Sequence, residues 1–156
     1  MGADPYWYFV PYEADIGAAL QKLRVREFEA GRYNPVMPFL TFPVDASAPV
    51  AAPLHGSIDD VLDAADEDGT RSILDISQVA PAPFDGSQMP YFTAFPLADA
   101  DIEDLFGTLC PTRGEVEKHP PNSRMWDRIE RGSALYVVTY DGGAPTEIFF
   151  AGYSFD

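Results

Sequence analysis

Cysteine and histidine are nearly absent from this chain of 156 residues, and their scarcity excludes two kinds of site. The single cysteine, Cys110, cannot form an internal disulfide, which fits a reducing, cytoplasmic compartment. The two histidines, His55 and His119, have no partner at metal-ligand spacing, so the sequence predicts no metal and no cofactor. A Cys-His nucleophile pair has no supporting motif, and Cys110 is better interpreted as a packed or surface thiol.

Long apolar runs and an N-terminal targeting pattern are also missing. No stretch approaches the roughly 18 apolar residues of a membrane span, and residues 1–15 have no basic region followed by an uninterrupted apolar one. N-myristoylation needs Ser or Thr where this chain has Tyr6. We therefore expect a soluble protein with no membrane association.

The composition nevertheless excludes a disordered chain. Hydrophobic residues make up 46% of the sequence and aromatic residues 13%, which outweighs the high net charge that is typical of disorder. A chain of this length buries roughly 70% of its unfolded surface when it folds. Residues 1–156 are therefore expected to form a single domain.

Basic side chains are almost absent between Ser57 and Cys110, where Arg71 stands alone against twelve acidic residues. This segment carries a charge of −11 within the total of −15. Such a region repels phosphate and attracts cations or a basic partner. We therefore expect a basic protein partner and no direct nucleic-acid binding.

The first third of the chain predicts one strand and one helix. Tyr6 to Tyr12 is aromatic and β-rich with a proline near its end, which indicates a short or edge strand. Apolar spacing predicts a helix from Ile16 to Ala30, with Asp15 as its N-cap and Gly31 just beyond its end. The proline-rich residues 34–56 predict a long irregular connection.

The middle of the chain predicts two acidic helices and two short strands. Ser57 begins a helix that runs to Asp68 and ends at Gly69. Short strands are expected at Ser72 to Ile76 and Tyr91 to Phe95, and a second acidic helix from Asp99 or Asp101 to Phe106.

The last third predicts two further helices and a hairpin. Thr112 and Glu115 form a capping box for a short helix to His119, and another helix is expected over 123–131. Two β-rich runs, 135–140 and 147–153, flank a Gly-Gly turn within 141–145, which predicts an antiparallel hairpin in the middle of the core sheet. Because helices and strands are interspersed, the fold class is α+β, with an antiparallel or mixed sheet closed by this hairpin.

The acidic helix at 57–68 breaks a local rule at its C-terminal end. Asp66, Glu67 and Asp68 fall in the predicted last turn, where the helix dipole disfavours anions, and such violations tend to occur at functional sites. A solvated, solubilising face is the alternative interpretation. The residues predicted to bind the partner are Asp59, Asp60, Asp63, Asp66, Glu67, Asp68, Asp101 and Asp104.

A calcium-binding EF-hand is excluded in the same segment. With Gly69 at loop position 6, the first ligand position is occupied by Ala64 and the eighth by Arg71. Asp75 would be a poor twelfth ligand, since a bidentate Glu is usual there.

A second candidate site combines Glu27 with three arginines. Glu27 lies in the middle of the apolar face of the first helix, so we expect it to be buried with a raised pKa, as a general acid requires. The alternative is that Glu27, near the helix end, reaches out to water or pairs with an arginine beside the core. Arg124, Arg128 and Arg131 share one face of the predicted last helix and suit a phosphate or carboxylate; their alternative is an exposed, self-screened face.

The overall profile is similar to that of bacterial toxin-neutralising immunity proteins, which are small, acidic and cysteine-poor. The resemblance implies a non-enzymatic interaction protein that binds a basic partner through its acidic surface. The alternative is a small enzyme or ligand-binding protein with a pocket at Glu27 and the three arginines. A DNA mimic, whose carboxylates would follow phosphate spacing, is the third hypothesis.

Overall fold

A computed structural model describes residues 3–38, 40–47, 54–87 and 90–155. Within these residues, five strands form one open mixed sheet, accompanied by four α-helices, so the α+β prediction is confirmed. The strands are β1 Pro5–Pro11, β2 Gln78–Val79, β3 Thr93–Pro96, β4 Ala134–Asp141 and β5 Ala144–Tyr153. The helices are α1 Ile16–Glu29, α2 Ile58–Ala65, α3 Asp99–Phe106 and α4 Arg113–Glu117.

The strand order is β1-β5-β4-β3-β2. β1, β5 and β4 pair antiparallel, and β4, β3 and β2 pair parallel. The β4-β5 hairpin therefore occupies the middle of the sheet and β1 one edge, as predicted. The hairpin does not close the sheet, whose β1 and β2 edges remain apart.

The hairpin turn is shorter than the sequence indicated. Asp141 pairs with Ala144, so only Gly142 and Gly143 form the loop, with φ angles of 59° and 82°. A two-residue turn with positive φ at both positions matches the right-handed twist of the flanking strands. Pro145 lies inside the ladder opposite Tyr140 rather than in the turn.

The two faces of the sheet carry separate layers of the core. Alternation along β1 sends Tyr8 towards α1 and Trp7 towards the opposite face. The α1 face includes Leu20 and Phe150, whereas the opposite face includes Trp126 and Phe149. Because both faces are covered, the central strands are apolar on both sides.

Capping residues mark the ends of three helices. Asp15 accepts a hydrogen bond from the Ala18 amide at 3.0 Å, and Gly31 follows α1 with a φ of 66°. The Thr112–Glu115 capping box is present at α4. Gly107, in the left-handed region, ends α3. In 34–56, the described residues belong to no helix or strand.

The acidic helix α2 ends three residues earlier than predicted. Ser57 caps it as expected, but the α-helix stops at Ala65, and Asp66 takes a φ of 47°. Asp66–Asp68 then form a separate 3₁₀ turn before Gly69. The three acids therefore follow the helix end instead of occupying its last turn.

Two predicted elements are wrong. The expected strand 72–76 is a 3₁₀ turn, Ile73–Asp75, because the Ser72 hydroxyl accepts from the Leu74 amide and caps the turn. The expected helix 123–131 is reduced to the 3₁₀ turn Trp126–Arg128, because Trp126 is fixed by contacts with the sheet. Its ring packs edge-on against Trp7, and its Nε1 donates to the His119 carbonyl.

Candidate functional site

An open cavity of about 540 Å³ lies between the end of α2, the 3₁₀ turn 73–75 and the aromatic residue Phe92. Its walls are mainly apolar, and a few polar groups converge on it, which is the usual composition of a ligand pocket. We call it the Asp75 pocket. Its lining consists of Leu62, Ala65, Asp66, Glu67, Gly69, Leu74, Asp75, Ser77, Phe92 and Phe155.

Asp75 is the buried charge of this pocket, with only 3% of its surface exposed. Its Oδ1 accepts a hydrogen bond from the Thr70 amide at 2.8 Å, whereas its Oδ2 has no donor among the described residues. Burial raises the pKa of Asp75 to about 6, against the opposing effects of the nearby polar groups of Thr70, the Arg71 backbone and the charge of Arg24. A buried carboxylate with an oxygen that accepts no hydrogen bond lowers the free energy of unfolding.

The surroundings of Asp75 explain why it is not paired internally. Arg24 donates to the Leu74 carbonyl and to Gln21 rather than to the carboxylate. The Tyr6 hydroxyl is also buried and has no hydrogen-bond partner among the described residues; desolvation, followed by the charge of Asp75, raises its pKa. Beside Oδ2 stands Gly69, where an added Cβ would lie 3.0 Å from that oxygen. The carboxylate therefore lies close to the Gly69 backbone, where a side chain would crowd it.

Phe92 forms the aromatic wall, and it is held in an unusual conformation. It is 47% exposed and has a φ of 63°, which is rare for a bulky residue. Its amide donates to the Gly132 carbonyl, and its own carbonyl accepts from the Ser77 amide, both at 2.8 Å. The Phe155 ring lies 5.3 Å from that of Phe92. Strain maintained at an exposed aromatic side chain is typical of a binding site.

The mouth of the pocket is acidic. Asp66 and Glu67 line it and are exposed, and the other predicted partner-binding acids of this segment are exposed as well. Within the described part of the chain, none of these six side chains forms an ion pair. We call them the acidic surface: Asp59, Asp60, Asp63, Asp66, Glu67 and Asp68.

The two other predicted partner-binding acids are in a different position. Asp101 lies 2.9 Å from Arg128, and Asp104 pairs with Arg124. Both pairs belong to the face of the sheet opposite α1, where α3 packs. Their charge is therefore largely balanced within the molecule.

The predicted pocket of Glu27 and three arginines does not form. Glu27 is fully buried, as predicted, but it accepts from Arg32, whose Nε is 2.7 Å from Oε2. This is the alternative in which the carboxylate pairs with an arginine beside the core. Arg124 and Arg128 lie across the sheet from Glu27, and Arg131 forms a backbone bridge with Tyr153. The predicted helix over 123–131, which would have placed the three arginines on one face, is absent.

The scarce residues also remain apart. His55 contacts the Tyr33 hydroxyl through Nδ1 at 3.3 Å, the His119 ring packs edge-on against Phe106, and Cys110 is exposed. Over the described ranges, no three His, Cys, Asp or Glu side chains are grouped so that they could hold a metal ion.

Comparison with known proteins does not assign this chain to a family. No protein-family model, no curated protein and no solved structure matches this chain. Among the described residues, no helix combines the length and the apolarity that crossing a membrane would require.

Sequence reasoning found the acidic surface but missed Asp75 and Phe92 as members of a site. Asp75 entered only as a weak calcium ligand, although its position between Leu74 and Ile76 is a signal of burial. An acidic residue inside a short apolar run is a candidate for a carboxylate that faces the core.

Proposed function

We infer that this is a non-enzymatic interaction protein that binds a basic protein partner through the acidic surface. The observation that carries the inference is the junction of this surface with the Asp75 pocket. Asp66 and Glu67 belong to both, so exposed negative charge and exposed apolar area meet at one place. Protein interfaces of this kind combine electrostatic steering with apolar anchoring.

The unpaired state of the acidic surface supports this function. Arg71, the one basic residue of residues 57–110, lies 3.3 Å from Asp4 and donates to the Pro38 carbonyl, away from the six carboxylates. The field of the acidic surface is therefore available to a partner. It should accelerate association with a basic protein and make the association rate fall steeply with salt.

The enzyme alternative receives no support from the predicted residues. Glu27 is neutralised by Arg32, and the arginines at 124 and 128 are neutralised by acids of α3 on the other side of the sheet. These groups cannot converge on one substrate. The DNA-mimic hypothesis stays a prediction.

The test begins with a pull-down from native cells at low salt, followed by affinity measurements with the basic protein recovered. A triple variant, Asp66→Asn, Glu67→Gln and Asp68→Asn, should lower the association rate by about tenfold and flatten its salt dependence. The matched control neutralises three exposed acids elsewhere, through Asp99→Asn, Glu103→Gln and Glu130→Gln.

The control should leave most of the association rate intact, because it changes the same charge away from the acidic surface. Equal losses in both variants would show that only the net charge matters. No loss in either variant would show that the acidic surface is a solvated face without a partner, and both results would overturn the inferred function. The triple variant at residues 66–68, but not its control, should also unfold at a higher temperature than the parent protein. The reason is that three adjacent like charges beyond a helix C-terminus repel one another.

A further inference from the structure

The Asp75 pocket has a chemical character that specifies what a partner would insert into it. We propose that it binds the guanidinium group of an arginine side chain presented by the basic partner. The proposal rests on the function inferred above and adds to it the residue type that anchors the complex.

The charges around the pocket select a cation. Its lining includes the buried Asp75 and the exposed Asp66 and Glu67. No basic side chain is among the lining residues in the described part of the chain. Asp75 is buried from solvent and its Oδ2 accepts no hydrogen bond from the described residues, so its negative charge is stabilised by a cation held in the adjoining pocket.

The walls of the pocket favour arginine over lysine. Leu62 and Leu74 provide apolar contact for an aliphatic stem, and the rings of Phe92 and Phe155 provide faces for a planar cation. A guanidinium is weakly hydrated, stacks on aromatic rings and can donate several hydrogen bonds in one plane. An ammonium group loses more hydration on entering such a site.

Two local features fix the shape of the pocket before any partner arrives. Gly69 lets the Asp75 carboxylate lie against the backbone, because an added Cβ would be only 3.0 Å from Oδ2, and its φ of 72° disfavours any other residue. The backbone hydrogen bonds of Phe92 fix the aromatic wall at an exposed position. A preorganised wall reduces the conformational entropy that the protein loses when a ligand binds.

The probe is a single capped amino acid, N-acetyl-arginine amide, titrated at pH 7.5 while backbone amide NMR signals are followed. We expect saturable shifts at Gly69, Leu74 and Phe92, with a dissociation constant on the order of millimolar, because one side chain supplies little contact area. N-acetyl-citrulline amide has the same shape without the charge and should bind at least about tenfold more weakly. N-acetyl-lysine amide should also bind more weakly than arginine.

Three variants locate the binding. Asp75→Asn keeps the size of the side chain and should weaken arginine binding by about tenfold while leaving citrulline binding unchanged. Phe92→Ala truncates a ring that is 47% exposed, and it should weaken arginine binding by a factor of about five. The control Asp68→Asn removes a nearby charge that does not line the pocket, and it should change arginine binding by less than about twofold.

The proposal is overturned if citrulline binds as well as arginine, if Asp75→Asn and Asp68→Asn have equal effects, or if no saturable shift occurs. If capped arginine fails to bind but the triple variant still loses the basic partner, arginine recognition is wrong and the acidic-surface function stands. If capped arginine binds at Asp75 but the triple variant keeps its partner, the pocket is a cation site and the inferred function is wrong.

Discussion

The burial of Asp75 should make the free energy of unfolding depend on pH between the pKa of this carboxyl in the unfolded chain and its pKa in the folded protein. The pKa of its carboxyl is raised from an ordinary value of 3.8 to about 6 in the folded state. Each pKa unit corresponds to about 1.36 kcal/mol of free energy. Keeping Asp75 ionised therefore costs the folded state about 3 kcal/mol relative to the unfolded chain.

The sign follows from which state holds the proton. Between about pH 4 and pH 6, the folded protein retains a proton that the unfolded chain has already released. Protonation thus favours the folded state, and this contribution is fully present below about pH 4. It is lost as the pH rises to about 6, and the free energy of unfolding stays lower by a constant amount above that.

The assay compares urea unfolding of the parent protein and Asp75→Asn from pH 4 to pH 7.5. The amide keeps an acceptor for the Thr70 amide, so the hydrogen bond to Oδ1 is preserved. Subtracting the two free energies of unfolding at each pH cancels the other ionisable groups. The difference should move by about 3 kcal/mol in favour of the variant across this range.

A difference that stays constant with pH would refute the reasoning, because Asp75 would then keep its ordinary pKa through contact with water in the pocket. A shift in favour of the parent at high pH would show that attraction to Arg24 outweighs desolvation.

Two further stability predictions follow from other parts of the core. Glu27→Ala should lower the free energy of unfolding by about 3–5 kcal/mol, because it leaves the Arg32 charge buried without its partner. A loss below about 1 kcal/mol, measured by urea unfolding, would show that the ion pair contributes no more than an exposed one. Gly152→Ala should cost about 1–3 kcal/mol through overpacking, since the new Cβ would lie 2.5 Å from the Tyr6 hydroxyl oxygen. Its control, Gly17→Ala in α1, meets its nearest atom at 3.4 Å, so thermal unfolding at an unchanged or higher temperature is expected for it alone.

The elements that sequence reasoning predicted correctly are those whose signals lie within a few residues. Asp15 and Gly31 delimit α1, Thr112 and Glu115 begin α4, and the Gly-Gly pair specifies the hairpin turn. Each of these signals is a hydrogen bond or a backbone conformation that the residues supply themselves. Distant parts of the fold are not needed to read them.

The errors at Trp126 and at the Asp75 pocket occurred where distant contacts decide. The segment around Trp126 has helical spacing, but the ring is fixed by Trp7 from β1, and only a 3₁₀ turn remains. The Asp75 pocket was missed for the same reason, because its walls come from α2, the 3₁₀ turn at 73–75 and Phe92 before β3. The acidic surface was found, since a run of like charges is visible without knowing what packs beside it.

The pairing of β1 with β5 has a consequence for biosynthesis. Tyr6 lies opposite Gly152 and Val10 opposite Ile148, so the aromatic edge strand finds its partner only in the last strand of the sheet. At a synthesis rate of about 5–20 residues per second, β1 waits on the order of ten seconds for β5 to be translated. During that interval, its unpaired backbone and its rings are open to other nascent chains. The ribosome-bound protein is therefore most in need of chaperone protection at β1.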